Sequence, residues 1–154
     1  MNLFYKRAAI EDIDLLTQTR IEVLRAANKL SYDTDMNEVE RQSYKYYRRA
    51  LRDGSHIAYL VFDESCLVGA GAVSFFQVMP TYHNPSGNKA YIMNMYTAPD
   101  HRRKGIAYKV LDMLVKDCKD RGITAIFLEA TDMGRPLYEK YGFVKMNNEM
   151  NLSN

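Results

Sequence analysis

Two kinds of apolar spacing divide this chain. Short apolar runs bounded by turn residues predict strands at Leu3 to Arg7, Ile57 to Phe62, Leu67 to Val78, Ala90 to Thr97 and Ile123 to Ala130, and a less regular one at Phe143 to Leu152. Longer stretches carry the helical period. Ile13, Leu16, Arg20 and Leu24 recur on one face of a helix from Ala9 to near Asn28, with Leu15 and Val23 beside them, and Glu11 and Asp12 sit in its first turn, where the helix dipole favours acid. A second helix runs to about Arg52 with Val39, Tyr46, Tyr47, Ala50 and Leu51 as core candidates. Asp35 followed by Glu38 resembles a capping box at its start, and Asp53-Gly54 ends it. A third helix, Gly105 to Arg121, presents Ala107, Val110, Leu111, Leu114, Val115 and Cys118 on one face. Pro136 opens a short fourth helix that stops at Gly142.

The order β-α-α-β-β-β-α-β-α-β predicts an α+β (mixed α/β) layered fold with a mixed sheet, in which Ala90 to Ala130 forms a parallel strand–helix–strand crossover. Asp63-Glu64-Ser65 reads as a hairpin turn, and Met79 to Lys89, with two prolines and Ser86-Gly87-Asn88, as a surface loop of functional length. Gly69-Ala70-Gly71-Ala72 contains G-x-G, but no helix follows it. Close packing of a helix on a small-residue strand explains it better than a nucleotide does.

Composition narrows the classes. The 154 residues suit one domain, 1–154, large enough for a core; 47% hydrophobic and 26% charged residues are ordinary for a globular protein. A net charge of +2 gives no bulk attraction to nucleic acid or an anionic membrane, and no apolar run approaches a membrane span. The N-terminal residues lack a signal-peptide pattern. Cys66 and Cys118 read as free thiols in a reducing, cytoplasmic setting, Cys118 in a core phase. His56, His83 and His101 have no partner at metal spacing and read as surface or turn residues, so no metal site is expected.

The densest chemistry lies at Arg102-Arg103-Lys104-Gly105-Ile106-Ala107, between the Ala90–Thr97 strand and the third helix. Such a helix start offers unpaired N–H groups and about half a positive charge, Gly105 lets an anion approach the backbone, and the three basic residues add charge. That is the physics of a phosphate site. Three basic residues without interleaved aromatics are too few for nucleic acid.

The wording Asn94-Met95-Tyr96-Thr97-Ala98-Pro99-Asp100-His101-Arg102-Arg103-Lys104-Gly105-Ile106-Ala107 resembles the acetyl-CoA signature of the GNAT acetyltransferase superfamily, a strand and proline before R/Q-x-x-G-x-G/A. Leu137-Tyr138-Glu139-Lys140-Tyr141-Gly142-Phe143 is similar to that family's L-Y-E-K-x-G-F segment, preceded here by Ala130-Thr131-Asp132-Met133-Gly134-Arg135-Pro136 in the manner of an A-T-x-x-G-R-P subgroup. The resemblance implies a twisted mixed sheet of about six to seven strands flanked by about four helices, with two parallel central strands splaying into a V. It implies acetyl-CoA as cosubstrate, held through the main chain of Met95, Tyr96 and Thr97 and the loop of Arg102, Arg103, Lys104, Gly105, Ile106, Ala107 and Tyr108, with Thr131 or Asp132 near the pantetheine; Asp132 as a helix cap is the competing reading.

The reaction implied is direct attack of an amine on the thioester, with a homodimer among the assemblies known for relatives. Tyr138 takes the place of the family's proton donor to the leaving thiolate, and a strand N–H near Met95 is a candidate oxyanion donor. An alkyl amine of pKa ~10.4 is neutral in only about one molecule per thousand at pH 7, so a base helps. Ile92-Met93-Asn94-Met95 lacks the glutamate many relatives carry, which leaves Glu129, or water and backbone, as the base. The acceptor pocket is expected between the first two helices and the Met79–Lys89 loop, where Asp33, Asp35, Glu38, Glu40, Tyr44, Tyr47 and Tyr82 would suit a cationic amine. A CoA-binding sensor of the same fold is the alternative.

Overall fold

The computed structural model describes residues 1–154. Its five strands are β1 (Leu3–Arg7), β2 (His56–Asp63), β3 (Cys66–Gln77), β4 (Asn88–Thr97) and β5 (Ile126–Leu128). The helices are α1 (Ile13–Asn28), α2 (Asn37–Asp53), α3 (Ile106–Asp120) and α4 (Arg135–Tyr141), with single 3₁₀ turns at Ile10–Asp12 and Pro99–His101. The strands lie in the order β1-β2-β3-β4-β5. The first four are antiparallel neighbours and β4 pairs parallel with β5. The mixed sheet and four helices are those the sequence predicts.

The expected count of six to seven strands is too high. Phe143 to Leu152 forms no strand, and Val144, Met150 and Leu152 are 84%, 98% and 92% exposed. Asn147, Asn148 and Asn151 interrupt its alternation, and asparagine is depleted in strands. Its would-be neighbour β5 is only 3 residues long, far shorter than the Ile123–Ala130 run, and offers few main-chain partners.

Each face of the sheet has its own core. Toward α3 the apolar cluster joins Val61, Val73, Ile92, Val110, Leu111, Leu114 and buried Cys118. Toward α1 and α2 a smaller one joins Leu16, Tyr47, Ala58, Leu60, Ala70 and Ala72. The glycines of β3 serve the first face. A Cβ on Gly71 would stand 2.5 Å from Val110 Cγ1, and one on Gly69 would stand 2.9 Å from Ile106 Cγ2, so α3 rests on bare backbone as the G-x-G reading anticipates. Gly54 closes α2 in the left-handed conformation, φ +80°, as predicted. The predicted capping box does not form: Met36, not Asp35, is the N-cap and no side chain caps α2, Asp35 Oδ1 accepts from Asn37 N at 2.9 Å, and Glu38 pairs with Arg41.

Candidate active site

β4 is bonded on one edge to β3 from Asn88 to Thr97. On the other edge it meets β5 at three pairs only, Ala90↔Ile126, Tyr91↔Phe127 and Ile92↔Leu128. From Met93 onward the β5-facing edge of β4 has no strand partner. At that point the strand also bulges: Met93 pairs with Ala72 and Tyr96 with Ala70, so one extra β4 residue is accommodated, and Asn94 takes the left-handed conformation at φ +58°. Asparagine is among the few non-glycine residues that take this conformation readily, so it suits the bulge. The bulge sends Met95 into the core under α3 and Tyr96 toward the core under α1 and α2.

Thr97 ends β4, and the chain passes through Pro99–His101 to the start of α3. Arg102 is extended, Arg103 is left-handed at φ +62°, and Gly105 is the N-cap at φ +83°. Arg102, Arg103, Lys104 and Gly105 are exposed, Ile106 is buried as the first core residue of α3, Ala107 is half-buried and Tyr108 exposed. No side chain caps α3 and its first turn holds no acidic residue, whereas Asp14 opens α1 and Glu38 and Glu40 open α2. An uncapped helix start ringed by three cations fits a diphosphate. A Cβ on Gly105 would touch no protein atom within 4 Å, so the glycine answers to its φ and to open space beside the helix, not to internal packing.

One contact steadies this loop. His101 Nε2 lies 2.8 Å from Asp63 Oδ2 and its Nδ1 2.9 Å from Asp100 Oδ1. These carboxylates raise the imidazole pKa, Asp63 first. The residue read as an isolated turn histidine thus ties the β2–β3 turn to the approach of the phosphate loop.

On α4, Tyr138 is 8% exposed with its ring against Phe143 and the α3-side core. Burial raises its pKa, so it is a neutral phenol at pH 7. Its hydroxyl has no protein partner, and the one sealed, unpartnered side-chain polar atom in the chain is His56 Nε2, so the Tyr138 hydroxyl opens onto free space. Tyr141 is committed elsewhere, donating to Asp112 Oδ1 at 2.7 Å. Thr131 caps the turn before α4: its Oγ1 accepts from Gly134 N at 3.1 Å. Asp132 is exposed and makes no hydrogen bond, which corrects the reading of it as the cap. Glu129, just past β5, is exposed; after burial, its carboxylate is the main influence raising the pKa of Tyr91.

The acceptor region differs most from expectation. Asp33 is held by Ser31, Glu38 by Arg41 and Glu40 by Gln18, Tyr47 is buried, and Tyr82 is 92% exposed on the β3–β4 loop. A polar cleft of about 390 Å³ lies between α1 and α2, with Thr17, Gln18, Glu40 and Tyr44 on its walls. A cleft of about 620 Å³ lies on the other side of β5, between it and residues 142–149, and reaches Tyr138 but neither β4 nor the Arg103–Gly105 loop. Sequence reasoning missed a polar group beneath α1 and α2. Buried His56 shares Nδ1 with Tyr46 OH and Ser74 Oγ, each at 3.1 Å, and Tyr46 OH meets Ser74 Oγ at 2.6 Å. Arg20 Nη1 donates to Asn94 Oδ1 at 3.2 Å. The one available signal was an arginine in the core phase of α1.

No group of three or more His, Cys, Asp or Glu side chains is arranged to hold a metal, and no helix is long and apolar enough to cross a membrane. The profile of the acetyltransferase (GNAT) family matches residues 22–143. A protein of Clostridium acetobutylicum, described as a predicted acetyltransferase with acetyl-CoA, is 32% identical, with a TM-score of 0.89 over 98% of this chain and 96% of its own. A GCN5-related N-acetyltransferase from Ralstonia eutropha is 23% identical, with a TM-score of 0.84 over 99% of each chain. Glucosamine-6-phosphate N-acetyltransferase from Arabidopsis thaliana is 15% identical, with a TM-score of 0.70 over 99% of each. The latter two speak to the fold alone. No curated protein sequence matches the chain. With the profile covering most of its length, and strand, loop and helix arranged as above, this chain belongs to the acetyltransferase (GNAT) family.

Proposed function

We propose that residues 1–154 form one catalytic domain that transfers an acetyl group from acetyl-CoA to the amine of an acceptor. The observation that carries this reading is the three-pair β4–β5 ladder, which leaves an unpaired strand edge from Met93 to Thr97 directly before an uncapped, basic helix start. The free main chain of Met95, Tyr96 and Thr97 pairs with the pantetheine arm as with an added strand. The N–H groups from Arg103 to Tyr108 receive the diphosphate, with Arg102, Arg103 and Lys104 screening its charge. Thr131 and Asp132 border the arm from the β5 side. A main-chain N–H at the bulge stabilises charge developing on the carbonyl oxygen. The Tyr138 hydroxyl, neutral and unpartnered, gives its proton to the departing sulfur. Glu129 takes the proton from the amine, directly or through water. The acetyl-CoA named for the Clostridium acetobutylicum protein supports the choice of donor.

The second reading, a CoA-binding sensor, is favoured by the absence of any carboxylate on β4 and by the engagement of Asn94 with Arg20. Calorimetry with acetyl-CoA and thiol release across an amine panel separate the two. A transferase gives heat and acceptor-dependent thiol; heat without thiol for every amine selects the sensor; no heat at millimolar acetyl-CoA ends both. Within the transferase reading, Tyr138→Phe lowers turnover by about 10- to 1000-fold with acetyl-CoA affinity retained. Unchanged turnover removes Tyr138 from the chemistry.

A further inference from the structure

Arg20 is electrostatically unfinished. It lies on α1, half-buried, with its guanidinium on the β4 bulge through the 3.2 Å bond to Asn94 Oδ1. No carboxylate stands within 4.0 Å of it, although Lys6, Arg7, Arg41, Arg49 and Lys116 each have one. Its charge acts on Tyr47, His56 and Tyr91. All three are neutral at pH 7, because burial raises both phenols and lowers the imidazole to about 4. A partly desolvated cation among neutral dipoles carries a penalty that an anion would relieve. One bond to an amide oxygen leaves most of the guanidinium N–H donors free, in a fork that matches a carboxylate. The place is specific too: Asn94, at the bulge, sits two residues past the last β4–β5 pair, where the gap opens.

We propose that Arg20 anchors a carboxylate carried by the acceptor, so that the substrate class is an amine that is also an acid. This rests on the transferase reading for the amine, and on Arg20 alone for the acid. The expected acidic, amine-attracting lining is largely spent on internal partners, which leaves Arg20 as an unpaired cation beside the bulge.

The test uses matched amines with acetyl-CoA: β-alanine against β-alaninamide, lysine against lysinamide, and aminoethylphosphonate as a different anion. The acid of each pair is the better acceptor by about 10- to 100-fold in kcat/KM, chiefly through KM. The ratio falls toward one in Arg20→Met, which keeps length and helix propensity, and is partly restored in Arg20→Lys. Equal rates within the pairs, a preference that survives Arg20→Met, or a phosphonate better than the carboxylate overturns the assignment. A second readout needs no turnover. Titrating propionate into the protein with and without CoA shifts the Arg20 Nε–H resonance in at least one state; a resonance unmoved in both overturns the proposal. Absent heat with acetyl-CoA, by contrast, counts against the transferase reading and leaves this resonance to decide the anchor.

Discussion

On the α3 side of the sheet, Val73, Ile92, Val110 and Leu114 meet with almost no exposure and no polar atom among them. On the α1 and α2 side, the apolar cluster is small, and beside it His56, Tyr46 and Ser74 bond to one another while Arg20 bonds to Asn94. The first face is fixed by volume, since the glycines of β3 leave α3 no slack. The second is fixed by hydrogen bonds, and it borders the bulge. Both faces share strands β2 to β4, so a rigid floor on one side holds a polar, chemically adjustable surface on the other.

That contrast makes distinct demands on the two sides, and acid probes it hardest. His56 is held at a pKa of about 4, first by burial and then by Arg20, against about 6.5 unfolded. Below pH 6.5 the unfolded chain binds a proton that the folded one refuses, so stability falls as pH drops from about 6.5 to about 4, by roughly 3 kcal/mol in all. His56→Phe keeps the ring packed on Tyr46 and Tyr47 and leaves Tyr46 bonded to Ser74. Denaturant midpoints at pH 7 and pH 4.5 then differ much less than in the parent. An equal acid sensitivity would mean that the polar face is not sealed.

Gly71→Ala probes the opposite face. The added methyl meets Val110 Cγ1 at 2.5 Å and Met95 Sδ at 2.6 Å, and overpacking of this kind costs about 1–3 kcal/mol. A melting temperature equal to the parent's would show slack under α3. The smallest effect belongs to His101, at the margin of both faces. Its pKa is raised by Asp63 and then Asp100, so the stability it adds is complete below the unfolded value near 6.5 and is lost as pH climbs through the raised folded value. His101→Asn therefore lowers the melting temperature at pH 5.5 and leaves it little changed at pH 9. A deficit that is the same at both pH values would make the contact merely steric.

Sequence periodicity reported the α3 face well because it asks only which residues are apolar. Val110, Leu111, Leu114, Val115 and Cys118 are read from spacing alone and are buried. The polar face was less legible. Arg20 falls in phase with Leu16 and Leu24, and spacing carries no information about whether a position in that phase meets methyl groups or an asparagine. His56 is one polar residue at the head of an apolar strand, and its partners come from α2 and β3, 10 and 18 residues away in sequence. The bulge at Asn94 is a property of β3 and β4 together, invisible in either run. The loop before α3 was read from chemistry specific to glycine and basic residues, and its backbone is left-handed at Arg103 and Gly105. The tail after Phe143 misled because alternation is necessary for a strand but a neighbour is also needed, and β5 offers little to bond to.

The brevity of β5 has one more implication. Parallel strands zip residue by residue, and here the zipper halts after its third tooth. Each added tooth would carry the seam further up β4, past the kink at Asn94, and shrink the mouth in steps of one residue, about 3.3 Å. Under the binding mode proposed above, strand length is therefore a dial on what size of guest is admitted, set by a few residues between Ile123 and Ala130 while the helices stay as they are.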